Sequence, residues 1–141
     1  MSIQAVLLPL FVELLLTFVL LYRMAYLRTR AVRTGEVKMR DIALREPNWP
    51  SQITQVSNAY HNQLELPVLF YVLTILAMMT RHADLLFVVL AWVFVACRVL
   101  QALVHVTSNN VPYRGGFYGI GAIVLLVMWL IFIVKIMLGL P

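Results

Sequence analysis

Four apolar stretches, each long enough to cross a bilayer, limit what this chain can fold into more than any other feature. A spanning helix needs about 20 mostly apolar residues, and residues 3–27, 54–79, 85–106 and 115–138 all meet that length. With 62% of its 141 residues hydrophobic and 12% charged, the chain has too little interior to hide all four from water. Hydrocarbon is the solvent that suits them. The first stretch has no basic run before it and no small-residue cleavage pattern after it, so it is expected to be a retained span. Cys97 is the one cysteine, which excludes an internal disulfide.

The connections differ in length. Residues 28–52 form a long polar loop, whereas "TRHAD" at 80–84 and "TSNNVPYR" at 107–114 are short. Short links make neighbouring helices antiparallel, so the expected fold is an all-α membrane protein: a single domain built as an up-down bundle of four transmembrane helices. Arg28, Arg30, Arg33, Lys38, Arg40 and Arg45 crowd the first loop, while the opposite side has Arg81 and Lys135. The basic imbalance puts the first and third loops in the cytoplasm and both termini outside, in an inner or plasma membrane. The net charge of +5 then serves membrane lipid headgroups and calls for no nucleic acid and no metal.

Polar residues inside the spans demand a second explanation. Asn58, His61, Asn62 and Glu65 share one face of the second helix, and Arg98, Gln101 and His105 share one face of the third. Glu65 lies about 16 Å inside Thr54 and Arg98 about 12 Å before Val106, at 1.5 Å per residue. Similar depth and opposite charge predict that Glu65 and Arg98 pair, since intramembrane charges are costly alone. Pro67 deprives the Gln63 carbonyl of its amide partner and predicts a bend beside Glu65. In "VPYRGGFYGIG", Arg114 and Tyr118 lie one turn apart, and the Gly115 and Gly116 amides at a helix start would favour an anion. Gly115 and Gly119 also form a small-x-x-x-small pair suited to close helix packing. Glu13, in the first span, reads as a polar contact between helices.

At these residues the chain resembles the membrane-associated proteins in eicosanoid and glutathione metabolism, the MAPEG family. The matching features are Asn62-x-x-Glu65 followed by Pro67, Arg98 on the third helix, and Pro112, Arg114 and Tyr118 at the fourth. The resemblance covers essentially the whole chain and implies a homotrimer with glutathione, as co-substrate, bound between subunits near the cytoplasmic side. It implies that Arg114 and Tyr118 are catalytic, Arg114 stabilising the thiolate. Asn58, His61, Asn62, Glu65, Arg98, Gln101 and His105 would bind glutathione, with Arg28 reaching in from the first loop. Gln55, Asn58 and His61 stand where the prostaglandin E synthase branch has arginines, which marks a divergent, bacterial-type member.

The resemblance thus implies a glutathione-dependent transferase or peroxidase acting on a lipophilic small molecule. Two alternatives stay open: a non-catalytic lipid-binding or scaffolding protein of the same fold, and a small transporter with Glu65 and His61 as a proton relay.

Overall fold

The apolar stretches fold as five α-helices that make four spans. The computed structural model describes residues 1–45 and 47–141. Helix α1 is Ile3–Arg33, α2 Ser51–Asn62, α3 Leu66–Met79, α4 Leu85–Val106 and α5 Val111–Leu138. A short 3-10 turn at Met39–Asp41 interrupts the first loop, and no strand occurs among the described residues. By length and composition α1, the α2–α3 pair, α4 and α5 can each cross a membrane. The protein is a multi-pass membrane protein with a four-span helical bundle.

Side chains set the helix ends. The Ser2 hydroxyl accepts from the Ala5 amide, Asp84 Oδ1 from the Phe87 amide at 2.8 Å, and Asn110 Oδ1 from the Tyr113 amide at 3.3 Å. Each satisfies one of the amides that a helix start leaves without a partner. At the far end of α5, Gly139 takes a left-handed conformation (φ 61°) that closes the helix. Two boundaries depart from expectation. Helix α1 continues to Arg33, beyond the apolar stretch, because nothing in residues 28–33 breaks it. Helix α5 begins at Val111, capped by Asn110, so Gly115 and Gly116 lie in its second turn. Their amides are taken up by the helix itself and offer no anion corner.

The second span is broken, not merely bent. The Gln63, Leu64 and Glu65 amides reach back three residues, to Tyr60, His61 and Asn62, in tight turns. Pro67 then sits in the first turn of α3, where its missing amide costs nothing. At the break the Asn62 carbonyl keeps only a long backbone bond, 3.4 Å, from the Glu65 amide.

Helix α4 is divided along its length. Its first half contributes Phe87, Val88, Ala91, Phe94 and Val95 to an apolar core with Val6, Phe70, Leu73, Ala77, Leu125 and Met128. Phe70 and Phe94 pack within it as a tilted pair, with ring centroids 4.9 Å apart and planes at 34°. The second half buries Arg98, Gln101 and His105 instead. Helix α5 packs on α4 through Gly121, where an added Cβ would stand 3.5 Å from Cys97 Cβ. A Cβ at Gly115 or Gly119 would meet nothing within 4 Å, so that glycine pair packs against nothing in the protomer. At the apolar end, Lys135 Nζ donates to Asp84 Oδ2 at 2.7 Å and ties the end of α5 to the start of α4. Burial alone would raise the Asp84 carboxyl, but the bonds from Lys135 and the Phe87 amide outweigh it and hold it below the ordinary range.

Large apolar side chains such as Leu15, Phe18, Ile75, Leu86, Ile123 and Leu130 are exposed on the outside of the bundle. In water so wide an apolar exterior would drive association. In a bilayer it is the surface that meets solvent.

Candidate functional site

The polar half of the bundle opens into a cleft of about 300 Å³ lined by Asn58, His61, Asn62, Glu65, His105 and Arg114. Helix α2 presents the first three, the break presents Glu65, and α4 and α5 supply the opposite wall. Six of the residues singled out by sequence thus surround one space.

Arg98 and Gln101 lie beneath it. Both are buried, and the Arg98 guanidinium donates to Gln101 Oε1 through Nη1 and to the Asn62 carbonyl through Nη2 at 2.8 Å. That carbonyl is one of those at the broken end of α2, and a cation there is also favoured by the helix dipole. The carboxylate beside Arg98 is not Glu65, as depth suggested, but Glu13 of α1, with Oε1 3.8 Å from Nε. Both side chains are fully buried. The reason is the break: by ending α2 early it turns Glu65 away from the core, where it is exposed at the cleft.

Glu65 is left with a neutral partner. Its Oε2 accepts from the Tyr118 hydroxyl at 3.1 Å, and it makes no ion pair among the described residues. The Tyr118 ring lies over the Arg98 guanidinium, 5.7 Å from centroid to Cζ, so one side chain touches both charges. Arg114 also has a neutral partner: its Nη1 donates to Asn109 Oδ1 at 2.6 Å. Asn109 holds a left-handed backbone (φ 50°), a conformation that asparagine tolerates well, and its amide donates to the Val104 carbonyl at 2.7 Å. His105 is buried at the cleft wall with Nδ1 unbonded among the described residues.

Arg28 does not reach the cleft. Its Nη2 donates to Ser57 Oγ at 2.8 Å and its guanidinium lies 4.9 Å from the Trp49 ring. The first loop folds back over α1, with Ala31, Val37 and Ile53 buried beneath it, and Trp49 claims the arginine. Glu13, read from the sequence only as a polar contact between helices, is the partner of Arg98, and Asn109 escaped the sequence reading altogether. Glu13 carries a signal in retrospect: it lies seven residues from Val6 and seven from Leu20 on the buried stripe of α1. Asn109 carries none, because its role follows from a turn conformation.

A four-span helical membrane bundle with a polar cleft beside a broken helix defines a class of multi-pass integral membrane protein. Within that class the chain belongs to the MAPEG family, whose sequence profile matches residues 6–134. The family includes glutathione transferases and peroxidases. Neither a curated protein nor a solved structure gives a significant match.

Proposed function

We propose that the protein is a glutathione-dependent transferase or peroxidase acting on a lipophilic electrophile. The observation that carries this reading is the pair of unspent charges at the cleft: the Glu65 carboxylate and the Arg114 guanidinium each bond a neutral group. A zwitterion with an ammonium and an anionic end suits such a site, and glutathione has both. Glu65 would take the ammonium and Asn62 and Asn58 the peptide groups. Arg114 would hold the sulfur as thiolate, because a nearby cation lowers a thiol pKa from about 8.5. In the transferase reaction the sulfur forms a bond to the electrophilic carbon, the leaving group departs, and the thiol proton passes to solvent at the open mouth. The electrophile would arrive through the bilayer-facing flank.

A second reading, a non-catalytic lipid-binding protein of the same fold, is favoured by one fact. The groups expected to activate a thiol, Tyr118 and Arg114, are both hydrogen-bonded to protein partners. Calorimetry with glutathione on detergent-purified protein separates the two readings. The wild type is expected to bind, and Glu65→Gln to weaken binding about 10- to 100-fold, as for loss of a charge-assisted hydrogen bond. Absence of binding to the wild type would leave the lipid-binding reading.

Two further features belong to this proposal. A homotrimer would place the open Gly115–Gly119 face against a neighbouring copy, and native mass spectrometry of the same sample should then give three copies. The basic first loop faces the cytoplasm under the positive-inside rule. A cysteine introduced at Met39, which is exposed in that loop, should resist an impermeant thiol reagent in intact cells. Labelling from outside would reverse the orientation.

A further inference from the structure

We infer that Glu13 is a positioning residue for the cleft, holding Arg98 away from Glu65 so that Glu65 stays free for the ligand's ammonium group. The protein half of this inference stands on geometry alone; its ligand half rests on the reading proposed above.

The Arg98 guanidinium has three edges and joins three parts of the fold. One edge meets Glu13 on α1, one meets Gln101 on its own helix, and one meets the Asn62 carbonyl at the end of α2. Through the last bond it fixes the turn that carries Asn62 and Glu65. The Glu13 carboxylate is wholly buried, with neither oxygen hydrogen-bonded among the described residues, and Arg98 Nε is likewise unbonded at 3.8 Å. Charge, rather than a direct hydrogen bond, therefore links α1 to Arg98.

Remove that charge and the guanidinium becomes an unneutralised cation in an apolar interior. Glu65 is the competing carboxylate, reached past the Tyr118 ring that already lies over the guanidinium. Arg98 would turn toward it, abandon the Asn62 carbonyl and occupy the anion that the ligand needs. Glu13 thus governs the cleft without touching it.

The test is Glu13→Gln, which keeps shape and removes charge, followed by hydrogen–deuterium exchange on the ligand-free protein in detergent. The amides of Gln63, Leu64 and Glu65 should exchange about a hundredfold faster, while those of the 80–84 hairpin stay unchanged. Equal acceleration in both regions, or none at the turn, would reduce Glu13 to a general structural contact and overturn the inference. Should Glu13→Gln yield no folded protein, Glu13→Asp retains the charge one methylene short. It should then give the same local rise at about tenfold, and unchanged exchange there would also overturn the inference. Glutathione calorimetry on the same variants reads the ligand half. If the wild type binds and Glu13→Gln binds equally well, Glu65 was not being spared. If the wild type does not bind, the proposed function fails while the exchange result still decides the role of Glu13.

Discussion

Arg98→Met is expected to destabilise the protein by about 3–5 kcal/mol, the cost of leaving a buried charge without its partner. Arg98 and Glu13 are each fully buried, so neither can recover solvation by a small movement. Replacing both, as Glu13→Leu with Arg98→Met, should restore most of the loss, because an apolar pair of similar volume suits this interior as well as an ion pair does. Glu65→Gln should change stability little, since Glu65 is exposed and bonded only to the Tyr118 hydroxyl among the described residues. Thermal unfolding in a fixed detergent measures these three variants together with Glu13→Leu alone and Glu65→Gln combined with Arg98→Met. The decisive quantity is the coupling between positions 13 and 98. Additive losses there, with strong coupling between 65 and 98, would place Glu65 against Arg98 after all.

Arg114→Ala is expected to lower turnover with glutathione about a hundredfold at neutral pH, comparable to removal of one preorganised donor from a developing anion. Binding should fall less, because Asn62 and Glu65 still hold the peptide. The sign of the pH dependence follows from the thiol. With Arg114 present the thiolate is populated well below its ordinary pKa of about 8.5; without it the thiol must ionise unaided. The deficit should therefore shrink as pH rises toward that value. Thiolate absorbance, titrated with bound glutathione in wild type and variant, measures this apart from turnover. A pH-independent deficit would assign Arg114 to substrate placement instead of thiol ionisation.

The spans and the cleft were legible in the sequence for different reasons. Uninterrupted apolar length identifies a membrane helix without any knowledge of its neighbours. Helical spacing likewise gathers Asn58, His61, Asn62 and Glu65, because residues three and four apart must share a face. The partner of Arg98 was not legible, since Glu13 and Glu65 are both carboxylates within reach of a long side chain. Choosing between them requires knowing that Pro67 opens a new helix after α2 has ended at Asn62, rather than bending one continuous helix, so that Glu65 falls in the break and turns outward. The placement of Arg28 was hidden for a similar reason. Loop composition gives its charge, but only the folded loop brings Trp49 over it. The start of α5 was misjudged by one turn because Val111 and Pro112 look like loop, although proline is at home in a helix's first turn.

The division of α4 has a consequence for traffic. Phe70, Leu73, Ala77 and Phe94 are wholly inaccessible, and Val95 nearly so; they fill the bundle between the buried arginine and the end where Lys135 is tied to Asp84. The protomer's interior is therefore a cul-de-sac: whatever enters at the polar end meets a solid hydrocarbon floor and must leave by the mouth or sideways into lipid. Such a shape suits a site where a water-soluble reactant and a membrane-dissolved one meet. A conduit would need that aromatic floor to come apart.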